Sequence, residues 1–309
     1  MLNVLLGLVL FPGIFYLVTM ALLLGWVDRK FVALWQGRVG PPIYQPLADV
    51  IKLFAKEDIL PQGTDNALAT ILPLAATVSA MTAGMFIPVG GAVLYSFEGD
   101  LVVALFLLSV PSLAYFLAGW VTPSVYSVLG GNRSLLQYFS YEVPLLLGMF
   151  APPIYTRSWS VVTLMNAQRV HPWYLIIFPV GFFVTLLGLL GKLKRVPFDL
   201  PHAKSEVGAG PLTEYSGRKL ALWELSHLLQ TLVGINLVIA VYLGGADRLW
   251  LHWGFPIYLV KLFLFMVLLS LIQALYARVR IDQLADLGWK ILAPLGVVQI
   301  LVAVFLGGW

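Results

Sequence analysis

Cysteine is absent from this 309-residue sequence, and charged residues are scarce. Without cysteine the chain can form no disulfide and can supply no thiolate to an iron–sulfur cluster or a structural zinc ion. We therefore expect this chain to bind no cofactor or metal, and any redox centre to belong to a partner. No metal-ligand spacing relates its four histidines, His171, His202, His227 and His252.

Hydrophobic residues make up 60% of the sequence and charged residues 11%, whereas soluble domains average about 45–50% and about 25%. A helix that crosses a bilayer needs roughly 20 apolar residues, and several windows approach or exceed that length. The sequence predicts an all-α polytopic membrane protein that forms a single integral membrane domain over residues 1–309. About eight spans are expected: Leu2–Trp26, Ala67–Val89, Leu101–Val121, Tyr141–Tyr155, Trp173–Leu193, Leu220–Leu243, Pro256–Tyr276 and Ile291–Leu306.

Lys and Arg residues concentrate on one side of the predicted membrane. Of the 19, only Arg157, Arg169 and Arg248 fall on the opposite side, and Lys261 falls within a span. Because positive charge marks cytoplasmic loops, we expect a protein of the cell membrane with both termini outside. The net charge of +4 then reflects topology and not nucleic-acid binding. The cytoplasmic loops are expected at about residues 27–66, 122–140, 194–219 and 277–290.

The first cytoplasmic loop contains an amphipathic segment. From Pro46 onward, apolar and charged residues alternate at helical spacing, in a stretch too short and too charged to span a membrane. Such a helix lies along the membrane surface. Two interpretations remain open, a simple interfacial anchor or the floor of a docking site for a peripheral subunit.

Glu142 lies at the predicted start of the fourth span. An acidic residue in hydrocarbon costs at least about 2.5 kcal/mol, so it normally faces a polar cavity or a partner. We expect Glu142 to be either a neutral acid or a paired anion. It is either a relay carboxylate or merely an interfacial partner of Arg133.

The segment from Lys192 to Lys219 holds most of the remaining charge. Its prolines and glycines exclude one continuous helix, so its carboxylates lie on irregular backbone at the membrane edge. Glu224 and His227 then enter the sixth span three residues apart, on one helix face. Such a chain of titratable groups is typical of an ion relay. The predicted relay residues are Glu142, Glu206, Glu214, Glu224, Asp199 and His227.

Three long stretches, PFDLPHAKSEVGAGPLTEYSG, GRVGPP with QPLADVIKLFAKEDILP, and YSVLG with NRSLLQYFSYE, resemble a known family. They are similar to the membrane subunit of respiratory complex I that forms the quinone chamber, and the resemblance covers essentially the whole chain. Gly40-Pro41-Pro42 and the segment 210–214 resemble the hydrogenase-type branch. That branch comprises membrane-bound [NiFe] hydrogenases, formate hydrogenlyases and sulfane-sulfur reductases.

The resemblance implies a non-catalytic subunit of a hetero-oligomeric oxidoreductase. Such a subunit docks hydrogenase-like large and small peripheral subunits, which carry iron–sulfur clusters and a [NiFe] centre. It relays their energy to antiporter-like membrane subunits that translocate protons or sodium ions. The residues expected at the interface with peripheral subunits are Arg38, Asp49, Lys204 and Arg133.

Lys204 departs from the family, which usually carries a glutamate at this place. A cation beside Glu206 would hold that carboxylate ionised and make it an electrostatic gate. The alternative is a solvated loop charge.

Other functions also remain open. One is a quinone-site subunit of a NADH- or ferredoxin-quinone oxidoreductase. Another is a stand-alone secondary transporter that uses Glu142, Glu224 and Lys261 for ion coupling. A nucleotide-driven pump is not predicted, because no Gly-rich loop followed by Lys-Ser or Lys-Thr occurs.

Overall fold

A computed structural model of the protein describes residues 2–201, 206, 208–246 and 254–307. These residues form helices and connecting segments, and no β-sheet occurs among them. A π-helical turn, Leu287–Leu292, joins the last two helices. The helices are α1 (Leu2–Val9), α2 (Ile14–Trp35), α3 (Gln45–Ala55), α4 (Asn66–Phe86), α5 (Asp100–Val121), α6 (Val125–Thr156), α7 (Val161–Ala167), α8 (Tyr174–Ile177), α9 (Pro179–Lys192), α10 (Gly217–Tyr242), α11 (Gly254–Leu275), α12 (Ile281–Asp286) and α13 (Ala293–Leu306).

Six helical stretches in the described part of the chain are long and apolar enough to cross a membrane. The all-α, multi-pass class is therefore confirmed, and each stretch matches one predicted span. The total of eight spans remains a prediction. The six stretches are Leu6–Trp35, Asn66–Phe86, Asp100–Val121, Gly217–Tyr242, Gly254–Leu275 and Ile281–Leu306.

The fourth and fifth predicted spans differ from the structure. The fourth is the second half of α6, a 32-residue helix that begins at Val125. The fifth is divided between the four-residue α8 and the 14-residue α9. Glu142 consequently lies near the middle of a long helix and not at the start of a span.

The loop expected at 122–140 is wrong because α6 runs through most of it. Its polar residues made this stretch resemble a loop, yet several of them are buried against neighbouring elements. Gln137 shows how this is tolerated, since its Nε2 donates to the carbonyls of Gly191 and Phe198, both at 2.7 Å. The loop expected at 277–290 is likewise helical from Ile281 onward.

Helix α10 forms the centre of the bundle. Every residue from Leu228 to Tyr242 is buried, and the helix contacts α2, α4, α5, α6, α9 and α11. A helix that is apolar all round is normally found in this central position. Lys261, which the sequence places within a span, lies beside the end of α10, where its Nζ donates to the carbonyls of Leu243 (2.7 Å) and Gly245 (3.1 Å).

The amphipathic helix is present as α3. It buries Pro46 and Val50 against the bundle and exposes Leu47, Ile51 and Phe54. The exposed apolar side chains give α3 the composition expected of a helix at a membrane surface or under a partner.

The irregular segment between α9 and α10 is held closely against α6. Gly210 adopts a left-handed φ of +61° and starts a 3-10 turn, Gly210–Leu212. A Cβ on Gly130 of α6 would lie 2.7 Å from the Cα of Gly210. The absence of a side chain at Gly130 therefore permits the close approach of this charged segment to the bundle.

Candidate ion-coupling site

A buried ion pair lies between α6 and the end of α9. Lys192 Nζ is 2.8 Å from Glu142 Oε1 and 2.9 Å from Oε2. Only 2% of the Lys192 side chain and 9% of the Glu142 side chain are exposed. Of the two states expected for Glu142, this geometry supports the paired anion. The expectation that Arg133 is its partner is wrong, because Lys192 takes that place.

A third side chain completes the pair. Ser109 of α5 donates its hydroxyl to Glu142 Oε1 and accepts a hydrogen bond of 3.2 Å from Lys192 Nζ. Lys192 is the last residue of α9, where a cation also interacts favourably with the helix dipole. Three helices thus meet at one ammonium–carboxylate contact that protein atoms almost fully enclose.

Hydrogen bonds extend from the neighbourhood of this pair towards a cavity. Tyr141 donates its hydroxyl to Ser112 Oγ at 2.9 Å. Gln230 of α10 donates to the same Ser112 oxygen at 3.4 Å and to the Leu108 carbonyl at 3.2 Å. Since Gln230 also lines the cavity, polar side chains connect the cavity wall with the residue next to Glu142.

The cavity has a volume of about 450 Å³ and lies between α2, α5, α10 and the segment that follows α9. A smaller cavity of about 210 Å³ shares part of its wall and adds Asp199. Of the predicted relay residues, Glu224, His227 and Asp199 are therefore brought together. The ionisable residues with charged or basic side chains that line the larger cavity are Asp28, Arg29, Lys194, Arg195, Glu224 and His227.

Arg29 connects the amphipathic helix with the cavity. Its guanidinium is 2.5 Å from Asp49 Oδ2 and 3.0 Å from Glu224 Oε1. Gln45 donates to the other Asp49 oxygen at 2.9 Å. A residue predicted for the interface, Asp49, and one predicted for the relay, Glu224, thus share one cation.

Sequence reasoning did not single out Arg29 or Asp28. Asp28 pairs with Arg195 at 2.7 Å and accepts from Ser270 at 2.8 Å. Both residues follow the first predicted span, where flanking charges normally mark only the membrane boundary. The available signal was a neighbouring acid and base directly after that span, each of which needs a partner.

Lys194 is a second buried lysine, in a place where the sequence predicts only a loop charge. It has a left-handed φ of +49°, is 8% exposed, and its Nζ lies 3.9 Å from the centroid of the Tyr115 ring. Burial lowers the pKa of Lys194 to about 7, and the charge of Lys192 acts in the same direction.

The remaining predicted residues lie elsewhere. Glu206 pairs with Arg133 at 2.5 Å and is half exposed, whereas Glu214 is half-buried and pairs with no other residue that the structure describes. Arg38 is exposed. Lys204 and His202 lie outside the described residues. In the part of the chain that is described, no group of His, Asp or Glu side chains is arranged to hold a metal ion.

An apolar bundle around a buried ion pair, with a charged cavity at one end, defines a helical membrane protein of the ion-coupling type. A family model described as NADH dehydrogenase matches residues 8–304 of the chain. The chain therefore belongs to the NADH dehydrogenase family, and the family expected from the three sequence stretches is confirmed.

Individual relatives agree with this assignment. The chain is 36% identical to the second of the H-type NADH-quinone oxidoreductase subunits of Syntrophobacter fumaroxidans, over 95% of this chain and 92% of the relative. It is 34% identical to the H-type NADH-quinone oxidoreductase subunit of Dehalococcoides mccartyi, over 94% and 83% of the two chains. A chain in the structure of the membrane-bound sulfane sulfur reductase, an archaeal respiratory membrane complex, superposes with a TM-score of 0.89. That chain is 26% identical, and the match covers 97% of this chain and 99% of the other.

Replacement of Lys192 tests the energetic role of the pair. Lys192→Met leaves a buried carboxylate without its cation, and we expect it to lower the free energy of unfolding by about 3–5 kcal/mol. The double variant Lys192→Met/Glu142→Gln removes both charges, and we expect it to recover most of that loss. Unfolding in detergent micelles measures both variants. Equal losses in the single and double variants would contradict the pairing.

The pKa of Lys194 predicts a stability profile. Between about pH 7 and the ordinary lysine pKa of 10.5, the unfolded chain binds a proton at Lys194 that the folded chain does not. Stability should therefore rise with pH across this window and show no Lys194 contribution below it. Thermal unfolding of the parent and of Lys194→Met measures the difference. A parent and variant with parallel profiles from pH 7 to 10 would refute the lowered pKa.

Proposed function

We propose that this chain is the membrane-anchoring and energy-coupling subunit of a complex I-like respiratory complex of hydrogenase or sulfur-reductase type. It docks a peripheral redox module and relays its energy to ion-translocating subunits. The observation that carries the proposal is the contact of Asp49, Arg29 and Glu224. Through this contact a predicted docking helix shares a cation with a predicted relay carboxylate in a charged cavity.

Docking and relay can be linked through Arg29. Its side chain and those of Asp49 and Glu224 are each about one-third exposed, so their attraction is neither fully screened nor fully buried. A displacement of α3 by a bound subunit changes how the guanidinium is divided between the two carboxylates. Glu224 then gains or loses its cation, which shifts its affinity for a proton.

The buried pair is the proposed next station. A proton on Lys192 gives two ions, and a proton on Glu142 Oε gives two neutral groups. Ser109 contacts both partners and can hydrogen-bond in either state. Because the pair is enclosed, the energies of these two states depend strongly on charge in the adjacent cavity.

The other predicted residues complete the proposal. Glu206, Glu214, Asp199 and His227 are assigned to the relay. Arg38, Asp49, Arg133 and Lys204 are assigned to the interface with peripheral subunits. The chain would form one integral domain, residues 1–309, in the cell membrane, with both termini outside and its charged loops cytoplasmic.

The relatives support a hetero-oligomer. The two protein relatives are named as subunits, and the structural match comes from a respiratory membrane complex. We assign the redox centres, iron–sulfur clusters and a [NiFe] centre, to hydrogenase-like large and small subunits. Antiporter-like membrane subunits would translocate the ion. A stand-alone transporter is disfavoured by these relatives.

A quinone-site subunit is the second candidate. It is favoured by the names of the two relatives and by a cavity volume inside the range of small-molecule sites. Such sites are mostly apolar, whereas charged side chains occupy much of this wall. Quinone-dependent electron transfer by the purified complex would select this candidate over the first.

Removal of both charges of the buried pair tests the coupling role. In Glu142→Gln/Lys192→Met, we expect the complex to copurify with its iron–sulfur subunits and to transfer electrons. The ions moved per electron should fall at least about tenfold, because the proton-carrying groups are lost. Glu57→Gln, which removes an exposed carboxylate, is the control and should match the parent. Unchanged coupling in the double variant would remove Glu142 from the relay. Isolation of the parent chain without iron–sulfur proteins would refute docking.

The proposed orientation is tested by single cysteines in this cysteine-free chain. Val39 and Val170 are both 85% exposed and lie on sides expected to be opposite. In intact cells, an impermeant thiol reagent should label Val170→Cys only, and in inverted vesicles Val39→Cys only. The reverse pattern would invert the topology.

A further inference from the structure

A second cleft, of about 780 Å³, lies where α4 and α10 begin. The segment between α3 and α4 forms one wall, and the first turns of the two helices form another. It shares no lining residue with the cavity that contains Glu224. Because both helices are long enough to cross the membrane, the cleft lies at the edge of the membrane-spanning bundle.

Lys219 makes this cleft unusual. Its side chain is 8% exposed, and its Nζ donates to the neutral Asn66 Oδ1 at 2.6 Å. No carboxylate among the described residues lies within ion-pair distance of it. An ammonium has three donors, so two remain for a ligand. A buried cation without an anion is costly, and this favours an anionic occupant.

The surroundings add to the preference for an anion. Arg218 is exposed and forms no ion pair with a described residue, and Thr64 Oγ1 is buried without a hydrogen-bond partner in the described structure. Asp58 is the one acidic residue in the wall. Its Oδ1 accepts the backbone N–H groups of Arg218 (2.7 Å) and Lys219 (3.4 Å), so it faces the start of α10.

An apolar stripe continues from the cleft along α4. Leu68, Ile71, Leu74 and Val78 follow one another on one helix face, and each is between 45% and 57% exposed. Phe54, Leu60 and Leu222 supply apolar wall at the cleft itself. A cationic recess above a greasy helix face matches a molecule with an anionic head and hydrocarbon chains.

We propose that this cleft binds the phosphate of an anionic membrane phospholipid. The phosphate accepts hydrogen bonds from Lys219, Arg218 and Thr64, and the acyl chains lie along the exposed face of α4. The bound lipid connects the segment after α3 with the start of α10. It therefore stabilises the position of the amphipathic helix relative to the bundle.

The test uses the assembled complex, purified in detergent and stripped of loosely bound lipid. Native mass spectrometry counts retained phospholipid, and thermal unfolding is followed during titration with phosphatidylglycerol. We expect phosphatidylglycerol to raise the melting temperature of the parent. Lys219→Gln and Arg218→Gln should each weaken its apparent affinity roughly fivefold. Arg218 is exposed, so its variant is informative even if Lys219→Gln does not fold.

Lys56→Gln is the matched control, because it removes an exposed cation from the same segment outside the cleft. It should behave like the parent. Equal stabilisation by phosphatidylcholine would overturn the proposal, as would an Arg218→Gln variant with parental affinity. Equal stabilisation by inorganic phosphate alone would identify a free-phosphate site and overturn the lipid assignment.

Discussion

The contact between Lys192 and Glu142 constrains the whole bundle, because two charges that protein encloses must stay together. Separation of the pair leaves each ion in a medium that solvates it poorly, so α6 and the end of α9 cannot move apart without a change of protonation. The chain leaves α9 directly at Lys192, so the same contact sets where the charged segment begins. Lys194 and Arg195 are thereby directed into the cavity wall next to Asp28 and Glu224.

Electrostatic communication in this protein takes two forms that differ in their surroundings. Around Arg29 the side chains are partly exposed, and a cation shared between Asp49 and Glu224 can be redistributed at low cost. At Lys192 a redistribution requires transfer of a proton, because no water competes for the charge. A partly solvated contact near the amphipathic helix and an enclosed contact deeper in the bundle suit a device that converts a displacement into a change of protonation.

Most of the fold could be predicted from the apolar runs, since six of them are long enough to require a membrane and no other element competes for them. Helix α6 was missed in part because Ser134 and Gln137 look like loop residues until their buried partners are known. Glu142 was recognised from its apolar neighbours, but Lys192 lies 50 residues away, and no local pattern joins them. Arg29 and Lys194 were overlooked because flanking charges are common at membrane edges, and only tertiary packing shows which of them are enclosed.

Helix α10 has a mechanical consequence. It is 26 residues long, about 39 Å at the usual rise, and its second half is enclosed on every side. Glu224 lies near its start, and Lys261 binds the carbonyls just beyond its end. A rod held in this way bends very little, so a push at the Glu224 end reaches the opposite membrane face as a translation of the whole helix.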